Sequence, residues 1–131
     1  MQRRVRQFPG RPEHVHAARR FVAAALAAWP ATQEAALLLV SEVVTNAILH
    51  SASGDQDGSV EVRYALDDHE VYVEVVDAGG AIHPRRHAEY LEAVSGRGLA
   101  LVEALASGWG VQDRRAGRVV WFRLPLSMRG Q

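Results

Sequence analysis

Glu42, Asn46 and His50 recur every four residues in the segment SEVVTNAILHS, residues 41–51. Each step of four drifts by only about 40° around a helix. A helix here therefore carries the three side chains as one polar stripe. Its flanks are apolar: Leu37, Leu38, Leu39, Val40, Val43, Val44, Ala47, Ile48 and Leu49. On an ordinary surface helix such a stripe faces solvent. An ionised Glu is costly to bury without a partner, so apolar flanks on both sides make a cleft the expected setting. The chemistry suits phosphoryl transfer. An Asn amide oxygen is a hard, neutral ligand for Mg²⁺, and a Glu one turn away can hold or deprotonate an attacking oxygen. His50 suits helix-end hydrogen bonding or packing equally well.

Two further segments carry chemistry. In EVVDAGG, Asp77 ends an apolar run and precedes Gly79 and Gly80. That pattern is good turn chemistry. It also offers an acceptor for an exocyclic amine, with glycines that let a flat base approach the backbone. In SGRGLALVEAL, Gly96 and Gly98 open an amphipathic helix, where backbone N–H groups form an anion site. A lone G-x-G is weak evidence, and the segment has neither the dinucleotide-binding spacing nor a P-loop lysine. His14 and His16 stand two apart on a helix, on different faces, and make a poor metal pair. Arg85 and Arg86 read as a solvated loop pair within reach of phosphates.

These residues need elements to position them. Arg4 to Phe8 reads as a short strand, ended by Pro9-Gly10. Pro12 suits the first turn of a helix, with apolar residues at helical spacing from Val15 to Trp29 and Pro30 closing it. Thr32 is expected to cap a second helix running to about His50. That helix is apolar around most of its circumference, which predicts an interior position. Ser51 to Gly58 is a loop. Val60–Leu66 and Val71–Val76 read as a hairpin around Asp67-Asp68-His69. Ala78 to Gly98 is irregular, with a short helix around Ala88–Val94, and Leu99–Ala106 is helical. Trp109–Arg114 and Arg118–Leu124 form a last hairpin turning at Ala116-Gly117. The order β-α-α-β-β-α-β-β predicts a largely antiparallel sheet with helices on one face.

Composition narrows the classes. The chain has 131 residues, 48% hydrophobic and 23% charged, the profile of one globular domain, 1–131. There is no cysteine, which excludes disulfides and thiolate metal sites and suits a reducing cytoplasm. The 15 basic and 15 acidic residues balance, so no overall basic excess marks a nucleic-acid binder. All the basic residues are Arg. The N-terminus is basic without an apolar stretch behind it and is not expected to be a signal peptide. No apolar run, Ala35 to Val40 included, is long enough to span a bilayer.

Taken in order, Glu42-x-x-x-Asn46, Asp77-x-Gly79 and Gly96-x-Gly98 resemble the motifs of the gyrase–Hsp90–histidine-kinase–MutL ATPases. The resemblance runs from about Arg4 to Leu126. More narrowly, TNAILHS, GRGLALV and GRVVWFRLP are similar to words of the bacterial anti-sigma-factor serine kinases. The resemblance implies an α/β (α+β) two-layer sandwich of the Bergerat type: a mixed, largely antiparallel sheet with helices on one face. It implies ATP and Mg²⁺ as cofactors, with Glu42 as general base, Asn46 as Mg²⁺ ligand and Asp77 as acceptor for the adenine amine. Gly79 would back the adenine and Ala81 to Ser95 would form a lid. Gly96, Arg97, Gly98 and Leu99 would form the phosphate-side loop. Two positions depart from the pattern: Ala81 replaces a second glycine, and Gly117-Arg118-Val119 lacks a hydroxyl.

The implied function is a cytoplasmic anti-sigma factor with serine/threonine kinase activity toward a STAS-type antagonist. The implied partners are a sigma factor and that antagonist, with no direct nucleic-acid or membrane contact; a homodimer is compatible with it. The alternative is a non-catalytic ATP-binding module that switches partners. A histidine-kinase catalytic domain needs phosphoacceptor and dimerisation helices, for which the sequence leaves no room.

Overall fold

Val60, Val62, Tyr64 and Leu66 alternate with the half-buried Glu61, Arg63 and Ala65 and are all buried, the pattern of a strand with one face on a core. The computed structural model describes residues 1–50, 58–77, 100–114 and 117–127. Strand β1 (Gln2–Pro9) is followed by a 3₁₀ turn at Pro12–His14, helix α1 (Val15–Ala23) and a second 3₁₀ turn at Ala24–Leu26. Helix α2 (Pro30–His50) leads to β2 (Ser59–Leu66) and β3 (Glu70–Asp77). Helix α3 (Ala100–Leu105), β4 (Gly108–Arg114) and β5 (Gly117–Pro125) complete the order. It is the order expected from the sequence. The five strands form one sheet, β1-β2-β3-β5-β4, and every described pair is antiparallel. The short helix expected at 88–94 lies outside the described residues, as does part of the turn expected at Ala116-Gly117.

The core joins alternate residues of β2, β3 and β5 to the inner faces of α1 and α2. Val71, Val73 and Val75 pair in register with Leu124, Phe122 and Val120, and all six are at most 2% exposed. Above them lie Leu39, Val40, Val43 and Val44 of α2 and Ala18, Val22 and Leu26 of the first helical segment. Two turns close the hairpins by local chemistry. Asp67 Oδ1 accepts the His69 and Glu70 N–H groups at 2.7 and 2.8 Å. Those two bonds hold the Asp67 carboxyl below its ordinary value. Gly117 opens β5 at φ 146°, a conformation that side chains disfavour.

Three local expectations are corrected. Pro30 does not end the first helical segment; it is the first residue of α2, where a missing N–H is harmless and φ is already helical. Thr32 is not the cap but sits inside the first turn, 4% exposed. Its hydroxyl donates to Pro125 O at 3.0 Å and accepts from Ser127 N at 2.8 Å, fastening α2 to the chain after β5. And α2 is not interior on all sides, since Leu38 and Leu49 are 49% and 56% exposed.

The outer face of the sheet carries its own network. Tyr72 donates to Glu74 Oε2 at 2.8 Å, and Arg63 donates to Glu61 at 2.8 Å. The Trp121 ring lies against Tyr72, with centroids 5.8 Å apart, and against Gly110, its cross-strand partner. A Cβ at Gly110 would stand 2.7 Å from Trp121 Nε1. The glycine thus keeps space for an aromatic that covers the edge-strand backbone. Gly110→Ala is expected to cost about 1–3 kcal/mol, as overpacking does. In a Trp121→Val background the same change is expected to be neutral or stabilising by up to about 1 kcal/mol, the normal preference for Ala over Gly in a strand. Urea unfolding of the four proteins measures both.

Candidate functional site

Helix α2 sets the site by the way its apolar stripe is seated. Leu39, Val40, Val43, Val44 and Ala47 are at most 2% exposed, while Leu38 and Leu49 face solvent. At 100° per residue, Glu42 lies about 40° from Leu38 and Asn46 about 80°. The polar stripe therefore climbs from the solvent side toward the buried side as the helix proceeds. Glu42 and Asn46 are both half-buried. Asn46 Nδ2 is fully covered and, among the described residues, has no hydrogen-bond partner. A buried, unpaired amide costs about 1–3 kcal/mol. Amide nitrogen and oxygen exchange by a half-turn, so this buried position can present either a donor or an oxygen ligand. Among the described residues Glu42 makes no ion pair, and it stands one turn away.

Asp77 is the last residue of β3 and is 2% exposed. It is opposite Val60 in register. Its Oδ1 accepts the backbone N–H of Arg118 at 3.0 Å. The bond prolongs the β3–β5 ladder by one position beyond Val76–Val119. Asp77 therefore does more than form a turn: it is a buried carboxylate that fixes where β5 begins. Burying an ionised group is tolerated only with such partners. The sequence gives no hint of Arg118's part, because the donor is its backbone, which leaves no side-chain signature.

Helix α3 packs on α2 and β4, with Val102 fully buried. It begins directly after Gly96, Arg97, Gly98 and Leu99. Those four residues, Gly79 and the segment expected as a lid lie outside the described residues. The structure thus seats Glu42 and Asn46 on a helix that packs on β3, whose end holds Asp77, and on α3, which follows the glycine loop. No helix of the described residues is long and apolar enough to cross a membrane.

Comparison with known proteins fits this arrangement. The family model described as histidine kinase-like ATPase domain matches residues 8–124. A serine-protein kinase RsbW of Listeria innocua is 29% identical over 113 residues, 76% of this chain and 72% of that protein. An anti-sigma F factor of Geobacillus stearothermophilus is 39% identical over 79 residues, 58% of this chain and 54% of the relative. Another anti-sigma F factor, of Bacillus velezensis, is 46% identical over 41 residues, 31% of this chain and 28% of the relative. The chain thus spans less than two thirds of the two anti-sigma F factors.

The Asp77–Arg118 contact makes a stability prediction. Asp77→Ala leaves a buried N–H unpaired and is expected to cost about 1–3 kcal/mol. Asp77→Asn keeps an acceptor and is expected to stay within about 1 kcal/mol of the parent. Equilibrium urea unfolding at neutral pH decides between them.

Proposed function

This chain belongs to the histidine kinase-like ATPase family, and we propose that it is a Mg-ATP-dependent serine/threonine kinase that holds a sigma factor and phosphorylates its STAS-type antagonist. The observation that carries this reading is the buried, unpartnered Asn46 amide one helical turn from Glu42. Nothing in the described fold uses that amide, yet its burial costs free energy, which a ligand would recover.

The donor set fits magnesium. Mg²⁺ takes hard oxygen donors and retains several waters, so a single neutral amide from the protein is enough when phosphates supply the rest. When bound, the ion offsets the phosphate charge. The chain's own residues do the remainder. Asp77 accepts the exocyclic amine of adenine while its Oδ1 stays tied to Arg118. Gly79 lets the base lie against the backbone, and Gly96, Arg97, Gly98 and Leu99 receive the phosphates at the start of α3. Glu42 accepts the proton of the partner's hydroxyl as that oxygen bonds to the γ-phosphorus and ADP leaves. Leu38 and Leu49, exposed on either side of Glu42, provide apolar ground for the protein substrate. The named relatives are a serine-protein kinase and anti-sigma factors, which supports a sigma-factor partner and a cytoplasmic setting.

Two predictions separate the roles. Glu42→Gln is expected to bind Mg-ATP about as well as the parent while phosphotransfer to the antagonist falls about 10²–10⁴-fold, the usual share of a general base. Asn46→Ala is expected to lose magnesium-dependent ATP binding and turnover together. Calorimetry beside a γ-labelled ATP assay reads both. Undiminished transfer by Glu42→Gln removes Glu42 as base, and ATP binding without transfer by the parent favours the non-catalytic module. The second prediction concerns base choice. Asp77→Asn turns an acceptor into a mixed donor and acceptor, so ATP affinity is expected to fall by about 1–3 kcal/mol and the preference for ATP over GTP to shrink. Unchanged nucleotide preference in a folded Asp77→Asn would leave Asp77 with only its part in the sheet.

A further inference from the structure

Among the described residues the buried polar and charged side chains are Thr32, Glu74, Asp77 and Arg118. Thr32 fastens the start of α2, and Glu74 belongs to the network on the outer face of the sheet. Arg118 is 6% exposed and is the one basic residue among the four. Arginine is almost never fully buried unless it is paired, so the surroundings of this guanidinium bear on what the fold keeps it for.

Side chains alternate along a strand. In β5 that puts Arg118 on the inner face with Val120, Phe122 and Leu124. In β3 it puts Asp77 on the same face with Val71, Val73 and Val75. Register brings the two together. Val76 is opposite Val119, so the next step of the antiparallel ladder sets Asp77 opposite Arg118. The Arg118 N–H donates to Asp77 Oδ1 at 3.0 Å across that step. Directly opposed residues on one face stand about 4.5–5.5 Å apart at Cβ. Asp77 and Arg118 therefore leave the sheet side by side, at one end of the face on which α2 packs. A carboxylate has about four lone-pair positions and a guanidinium has five N–H donors, so one bond or one ion pair exhausts neither.

We propose that the Arg118 side chain is a specificity-determining residue of the nucleotide site: its guanidinium donates to a ring nitrogen of adenine beside the amine that Asp77 accepts. The inference rests on the ATP reading above and adds a residue to it. An acceptor and a donor side by side match a heteroaromatic edge that carries an amine next to a ring nitrogen. Adenine presents such an edge on either side of its amine, at N1 and at N7. A phosphate is the wrong occupant, because the adjoining carboxylate repels it. A metal cation is equally wrong, because the guanidinium repels that. The guanidinium stays protonated, so it always donates and never accepts. It therefore rejects an edge that offers a C–H where adenine has a nitrogen, as sites built to hydrogen-bond a group reject the analogue that lacks it.

The test uses the full chain with Mg-ATP and its 1-deaza and 7-deaza analogues, each with one ring nitrogen replaced by C–H, and reads affinity by calorimetry. The parent is expected to bind at least one analogue about tenfold or more weakly than ATP, the usual share of a hydrogen bond to a charged group. Which analogue it is names the nitrogen. Arg118→Met keeps the backbone N–H that serves Asp77 and much of the side-chain volume. It is expected to bind ATP about tenfold or more weakly and to bind ATP and that analogue alike. Arg118→Lys keeps the charge and a donor without the planar fork, and is expected to retain only part of the discrimination. Equal affinity of the parent for all three nucleotides overturns the proposal. So does discrimination that survives in Arg118→Met, the result a merely structural arginine gives. If Arg118→Met does not fold, discrimination undiminished in Arg118→Lys overturns it instead. Any of these results with ATP bound by the parent sinks this inference alone, whereas no ATP binding by the parent sinks the ATP reading with it.

Discussion

The seating of α2 on the sheet governs the rest of the molecule. Leu39, Val40, Val43 and Val44 share one core with Val73, Val75, Val120 and Phe122. Full burial of a Val or Leu side chain contributes about 1.5–3 kcal/mol, so these four helix residues contribute about 6–12 kcal/mol. That is as large as the net stability of a whole domain, about 5–15 kcal/mol. An unpaired Asn46 amide costs about 1–3 kcal/mol and cannot rotate the helix away from this seat. The apolar stripe thus dictates the direction in which Glu42 and Asn46 face, and the fold tolerates a polar defect at Asn46.

The two faces of the sheet divide the labour. The inner face is dry and supports the helices. The outer face is built from side chains that hold one another: Tyr72 on Glu74, Arg63 on Glu61, and Trp121 on Tyr72 and the Gly110 backbone. Contacts made through single atoms then set the ends of elements. Thr32 ties the start of α2 to Pro125 and Ser127, Gln33 reaches Ala23 O at 2.8 Å, and Asp77 ties the end of β3 to the start of β5. Each joins segments that packing alone would leave free to slide.

Asp77 and the β1 edge show two ways of keeping charge on this fold. Asp77 is almost fully covered and is retained by a specific N–H donor. The arginines of β1 are exposed, and their solvation makes their mutual proximity affordable. The first arrangement is a fixed acceptor that ties the end of β3 to the start of β5. The second is an open field of charge at the edge of the sheet.

The sequence by itself determined the element order, the hairpins and the alternating core, because strand and helix periods are local properties of apolar spacing. It also marked Glu42, Asn46 and Asp77 as residues on adjoining elements, since their spacing and types survive translation into a helix and a strand end. It misplaced Pro30 and Thr32, because a proline suits a helix start as well as a stop, and a threonine hydroxyl can bond to distant chain as well as to its own helix. It took α2 for an interior helix, because composition counts apolar residues without saying which of them, such as Leu38 and Leu49, meet another element. Only the tertiary structure decided that Asp77 is held by the Arg118 N–H, that Asn46 Nδ2 is covered with no partner among the described residues, and that Arg4, Arg6 and Arg20 converge on one groove. The reason is the same in each case: backbone donors, burial and convergence depend on segments far apart in the chain meeting in space, and no local pattern of residues encodes that meeting.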